Sequence, residues 1–240
     1  MRLSAPIHRL KRAAKEQARD RAIPLHAALD NVATTEGFAS WSLLSALHAR
    51  QKLDPIRLYK TIAPGELILI AARPLQGKTR LALHLALAAI AAGNEAHFFS
   101  LDCTPQDVAQ GLAPLPAGLL PMASALRVDC SDNISADHLM DSLAAAPPGT
   151  LAAIDYLQLL DQKRTNPPLQ QQIAHLAAFA RERRLVLIFI CQIDRTFDPG
   201  DDAMPGPADI RLPNPLDLRF FSRGWFLHDG RLRVEDNLLA

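Results

Sequence analysis

Ala72-Arg73-Pro74-Leu75-Gln76-Gly77-Lys78-Thr79 lies between an apolar strand-like run, Glu66 to Ala71, and a helix-like run, Leu81 to Ala92. The octet fits the phosphate-loop pattern GxxxxGK[ST] except at its first position, where Ala72 stands in place of glycine. In a strand-to-helix turn of this kind, backbone N–H groups and the helix N-terminus face anionic phosphates. Lys78 reaches the β- and γ-phosphates, and Thr79 offers its hydroxyl to Mg²⁺. Residues Ala72 through Thr79, with Arg80, are the candidate nucleotide-binding turn. A Gly-Lys-Thr at a helix start can also be merely solvated, so a second element is needed. It is Leu151 to Ile154, a short apolar run ending in Asp155, placed where a Walker B strand delivers a carboxylate to the metal. Thr79 and Asp155 are thus the candidate Mg²⁺ ligands of an ATP site, and their two parallel strands are expected to be neighbours.

The 240 residues suffice for one α/β domain with an appendage, and 49% hydrophobic with 21% charged residues is ordinary for a soluble globular protein. Cys103, Cys130 and Cys191 are too far apart for a CxxC or zinc-ligand pattern, which argues against a disulfide framework and fits a reducing cytoplasm. The N-terminus is basic rather than apolar, and no apolar run is long enough to span a membrane. Charge is uneven: residues 1 to 60 hold 11 Lys/Arg against 5 Asp/Glu, and residues 61 to 240 hold 15 against 20. The density of Arg9, Lys11, Arg12, Lys15, Arg19 and Arg21 suits either contact with phosphates or an acidic surface, or a solvated helix face.

Residues 1 to 50 read as a three-helix unit. A helix carries Ile7, Leu10 and Ala14, and a second follows Pro24 and buries Leu25, Ala28, Leu29 and Val32 before Gly37. A third is capped by Ser40 and carries Leu44 and Leu47, with Phe38 and Trp41 as core. Residues 51 to 65 form a connector that brings Tyr59 near the nucleotide, and residues 66 to 240 form the α/β domain. There, strands and helices alternate as in a βαβ array with a mostly parallel sheet flanked by helices. The strands are read at Ala96 to Ser100, Leu126 to Asp129 and Leu185 to Cys191, with a helix capped by Ser135 and another over Pro168 to Arg184. Residues 197 to 216, rich in Pro, Asp and Gly, read as a mobile loop. Ligands gather at the carboxyl ends of parallel strands, where the phosphate loop, Asp102, Asp155 and Gln192 all fall.

Several ordered motifs resemble the C-terminal, RecA-like ATPase domain of DnaB-type replicative helicases over roughly residues 62 to 230. Ala71-Ala72-Arg73-Pro74 with Gly77-Lys78-Thr79 is similar to that family's own Walker A form, which accommodates Ala at the first position. Phe99-Ser100-Leu101-Asp102 is similar to the segment bearing its catalytic Glu, and Asp155-Tyr156-Leu157-Gln158-Leu159 to its Walker B. Gln192-Ile193-Asp194-Arg195 is similar to its γ-phosphate-sensing segment, and Ala208-Asp209-Ile210-Arg211 to the start of its DNA-facing loop.

The resemblance implies a RecA-like P-loop NTPase fold with ATP and Mg²⁺ as ligands, single-stranded DNA as a partner and assembly into a homo-oligomer. It implies Lys78 on the phosphates, Asp102 as general base, Gln192 as sensor, and Arg195 and Arg211 as nucleic-acid contacts. Two departures matter. Asp102 is one methylene shorter than Glu, which implies slow hydrolysis because about 1 Å of misplacement costs on the order of a hundredfold. A trans-acting arginine is expected from Arg223, Arg231 or Arg233, and the spacing selects none of them. The resulting expectation is a DnaB-helicase-like ATPase acting on or near DNA, as motor or loader. Its alternative is a nucleotide-dependent interaction module with vestigial hydrolysis.

Overall fold

The computed structural model describes residues 3–5, 7–50, 54–101, 106, 108, 120–131, 134–161, 166–197, 204–212, 214–236 and 238. The chain divides into two compact units, Met1–Leu53 and Asp54–Ala240.

The first unit is three helices: α1 (Ile7–Asp20), α2 (Leu25–Thr35) and α3 (Trp41–Arg50). Leu10 and Ala14, one turn apart on α1, are buried together with Ala28, Ala33 and Leu44. Gly37, at φ +83, ends α2 with Phe38 N–H bonded back to the Ala33 carbonyl. Ser40 Oγ caps α3 by accepting from Leu43 N–H at 3.2 Å. The expected core differs in part. Leu25, in the first turn of α2, is 42% exposed, and Leu29, Val32, Phe38 and Trp41 are only half buried.

The second unit opens with the short helix α4 (Pro55–Tyr59) inside the stretch expected to be a plain connector. The signal was present in Asp54-Pro55: the Asp54 carboxylate accepts from Ile56 and Arg57 N–H, and Pro55 supplies a preset φ at the first helical position. A seven-stranded sheet follows, built from β1 (Leu67–Ala72), β2 (Ala96–Ser100), β3 (Arg127–Asp129), β4 (Leu151–Asp155), β5 (Val186–Gln192), β6 (Arg223–His228) and β7 (Arg231–Asp236). Its order is β3-β2-β4-β5-β1-β6-β7, with every pair parallel except β6 and β7.

The central strands read Leu-Ile-Leu-Ile-Ala-Ala and Val-Leu-Ile-Phe-Ile-Cys because both faces of a parallel sheet are covered. Leu67, Leu69 and Ala71 face one layer with Phe189, Ile173 and Leu176. The alternate residues Ile68, Ile70 and Ala72 are equally buried on the opposite side. Among the described residues the sheet is flanked by α5 (Lys78–Ala91), α6 (Ala136–Ser142) and α7 (Leu169–Arg183). Helix α5 is apolar nearly all round, with Leu81 through Ala89 buried except His84, as befits a helix packed inside the domain. The β6–β7 hairpin turns on Asp229 and Gly230, both at positive φ, the Asp-Gly chemistry of a two-residue turn. Beyond it, edge strand β7 carries Arg231, Arg233, Glu235 and Asp236, charges that discourage further strand pairing.

One strand expectation is corrected: β4 is not the neighbour of β1, since β5 lies between them. Residues 185 to 191 are the longest apolar run among the strands, and the centre of the sheet is where such a run is best buried. Tyr59 is likewise corrected. Its hydroxyl accepts from Asn94 Nδ2 at 2.8 Å, just past the far end of α5 and about 20 Å of helix away from the phosphate loop. Among the described residues no helix is long and apolar enough to cross a membrane.

Candidate functional site

Strand β1 ends at Ala72 and the chain enters α5 at Lys78, so residues 73–77 make the turn at the carboxyl edge of the sheet. Gly77 holds φ +87 as the N-cap of α5, a left-handed conformation that a side chain would strain. Leu75 also sits at positive φ (+64) while fully exposed, so local strain of about 1 kcal/mol is kept in the loop with no burial of its own to offset it. Helix geometry leaves the first N–H groups of α5 without intrahelical acceptors, and the dipole adds partial positive charge there. An anion is the natural complement.

Three side chains converge on this turn. Thr79 Oγ1 donates to Asp155 Oδ2 at 2.7 Å, joining the start of α5 to the last residue of β4. Asp155 is only 9% exposed. Lys78 Nζ donates to the Arg73 carbonyl at 3.2 Å, folding its amine back over the loop. Burial pulls the Lys78 pKa below that of a free lysine, and the nearby Asp155 charge partly opposes that shift. A buried carboxylate bonded to a hydroxyl, beside a desolvated amine, is an oxygen-donor pair of the kind that holds Mg²⁺ next to a phosphate.

Gln192 closes β5 and stands opposite Ala72 in register, so it borders the same edge between the phosphate loop and Asp155. Beyond it the chain is tied down. Ile193 bridges Ile210 in antiparallel fashion, Arg211 N–H donates to the Gln192 carbonyl at 2.8 Å, and Asp194 N–H donates to the Asp209 carbonyl at 2.8 Å. The expected mobile loop is thus anchored over residues 209–211. Pro, Asp and Gly in this stretch shape a short helical turn, Pro207–Asp209, in which the Asp209 carboxylate accepts from Gly206 N–H at 2.8 Å. Arg195 and Arg211 both present exposed side chains from this anchored segment.

Two contacts of the site carry no signal in motif spacing. Gln158 Nε2 donates to the Arg211 carbonyl at 2.8 Å and to Cys191 Sγ at 3.3 Å, linking the turn after Asp155 to the loop segment; its only signal was membership of the Walker B-like segment. Burial pushes the Cys191 thiol up to about 11. Gln76 Oε1 accepts from Asp229 N–H at 2.8 Å, so the β6–β7 turn rests on the phosphate loop, and no local pattern announces a contact across 153 residues.

Asp102 lies outside the described residues; Ser100, which ends β2 beside β4, is opposite Asp155 in register. Of the three arginines considered for action on a neighbouring copy, Arg223 is held at the opposite edge of the sheet. It donates to the Thr61 carbonyl at 2.7 Å and pairs with Glu66 at 3.1 Å. Arg231 flanks the hairpin turn and Arg233 pairs with Glu235.

The family model described as DnaB-like helicase C terminal domain matches residues 50–118. The replicative DNA helicase DnaB of Helicobacter pylori strain J99 is 25% identical over 209 residues, covering 72% of this chain and 42% of the relative. The DnaB of Geobacillus stearothermophilus is 28% identical over 179 residues, covering 61% and 39%. Over this part the chain is similar to DnaB helicases. Its fold agrees: a DnaB-like replicative helicase, solved in a study of its interactions with primase, superposes with TM-score 0.55 at 22% identity, covering 68% of this chain and 47% of that one. A second solved structure, an isolated ATPase domain, gives TM-score 0.53 at 21% identity, covering 70% of each. The chain therefore has a RecA-like α/β fold, and it spans about two-fifths of the length of the curated relatives it matches.

Proposed function

We propose that the chain binds ATP with Mg²⁺ at the Ala72–Arg80 turn and hydrolyses it slowly, acting on or near single-stranded DNA as a helicase-like motor or loader. The observation that carries this reading is the 2.7 Å bond between Thr79 and Asp155 beside the partly desolvated Lys78. Thr79 and Asp155 are the residues to hold Mg²⁺, and the ion when bound neutralises charge developing on the phosphates. The chain's own residues supply the rest. The α5 N–H groups and Lys78 orient the β- and γ-phosphates, and Gln192 sits at the strand end nearest the turn to register the terminal phosphate. Asp102 is the residue assigned to take the proton of the attacking water, its shorter reach setting a low rate.

Gln192 also gives the DNA-facing role its physical route. Its carbonyl accepts from Arg211 N–H, so a shift of Gln192 toward a phosphate moves the segment that displays Arg195 and Arg211. A second reading rests on Asp102 standing where the family has Glu: a nucleotide-dependent interaction module whose hydrolysis is vestigial. Turnover of ATP by the purified chain, with and without single-stranded DNA, separates the two. DNA-stimulated phosphate release supports the motor, and binding without DNA-responsive turnover supports the module.

A further inference from the structure

Helix α1 distributes its charge on one side. Lys11, Lys15 and Arg19 recur every four residues, each one position after Leu10, Ala14 and Ala18, and so form a stripe rotated by about 100° from the side that faces the unit's core. All three are exposed, as are the flanking Arg9 and Arg21. The acids that could neutralise the stripe are engaged elsewhere. Glu16 pairs with Arg12 at 3.1 Å, the Asp30 carboxylate accepts from Trp41 N–H at 2.9 Å, and Glu36 accepts from Ser4 N–H at 2.7 Å. The remaining acid of residues 1 to 53, Asp20, is the last residue of α1. Residues 1 to 53 hold nine Lys/Arg against four Asp/Glu, so the unit carries an excess of positive charge.

We propose that the Lys11–Lys15–Arg19 stripe is a docking surface for the phosphate backbone of duplex nucleic acid, separate from the nucleotide site and from the loop bearing Arg195 and Arg211. Four residues of α-helix advance about 6 Å, so the three cations span roughly 12 Å along α1. A row of that length can lie along successive phosphates of one strand of a duplex. Helix α1 contains no Phe, Tyr or Trp, so it offers no platform on which unpaired bases could stack, and contact is with the backbone without sequence reading.

The test is fluorescence anisotropy of the full chain with a labelled duplex of about 20 base pairs, without nucleotide, over a series of salt concentrations. Three phosphate contacts contribute about 2.7 to the slope of log affinity against log salt. The variant K11Q/K15Q/R19Q is expected to lose that increment. Its fall in affinity between about 50 and 200 mM salt is then roughly forty-fold smaller than the parent's. The charge-conserving K11R/K15R/R19K is expected to keep the parent slope, and R195A/R211A to leave the difference between parent and K11Q/K15Q/R19Q in place. Three results overturn the proposal: no duplex binding by the parent chain, an unchanged slope in K11Q/K15Q/R19Q, or a loss in that variant confined to binding of a labelled polyglutamate peptide. None of these touches the ATP site, so failure here is distinct from failure of the nucleotide reading.

Discussion

Replacing Asp155 with alanine removes the acceptor of the Thr79 hydroxyl and the negative charge that steadies Lys78 in its desolvated position. A hydrogen bond to a charged group contributes about 1.5–3 kcal/mol, and leaving a cation without its counter-charge adds to the loss. The expected destabilisation without nucleotide is about 2 kcal/mol. For a folded unit of this size each kcal/mol moves the midpoint by about 2–4 °C, so Asp155→Ala lowers Tm by about 4–8 °C in differential scanning calorimetry. Adding ATP at about a hundred times its Kd stabilises the native state by about 2.7 kcal/mol. In the parent chain most of that increment is expected to require Mg²⁺, whereas in Asp155→Ala the scans with and without Mg²⁺ superpose. A variant that unfolds at the parent temperature and keeps the Mg²⁺-dependent rise refutes the reasoning, because the carboxylate would then support neither Thr79 nor the ion.

Gln76→Ala frees the phosphate loop from the β6–β7 turn; losing one neutral hydrogen bond, about 1 kcal/mol, is expected to weaken binding of a fluorescent ATP analogue about five-fold while leaving the Mg²⁺ dependence intact. Because burial lowers the folded pKa of Lys78 below 10.5, the unfolded chain binds more protons between the two values. Stability from urea titrations should therefore rise with pH through that window and nucleotide affinity should fall, and Lys78→Met should abolish both trends. Cys191, its thiol pushed up to about 11 by burial, should resist N-ethylmaleimide near neutral pH until the domain unfolds; peptide mapping that finds it labelled in the native chain contradicts the burial assigned here.

The strand-turn-helix at Ala72 to Arg80 was legible because its signals are local: an apolar run, a glycine able to take φ +87, and an apolar helix after Lys78-Thr79. The placement of Asp155 and Gln192 at one edge of the sheet was legible for a related reason, since parallel strands put their last residues on one edge whatever their order. The order itself was not. Nothing within Leu151 to Asp155 or Val186 to Gln192 states which of them pairs with β1, and the inference that Asp155 came from an adjoining strand failed on that account. Tyr59 failed similarly, its partner Asn94 being fixed by where a 14-residue helix ends. Pro, Asp and Gly at 197 to 216 suggested a loop without anchors, because backbone bonds such as Arg211 N–H to the Gln192 carbonyl leave no trace in side-chain composition.

The most direct test is release of inorganic phosphate from ATP and Mg²⁺ by the purified chain, set beside Lys78→Ala. The expected result is slow, Mg²⁺-dependent release that is lost in Lys78→Ala together with ATP binding. Equal release by the two proteins would contradict the assignment of triphosphate chemistry to this turn.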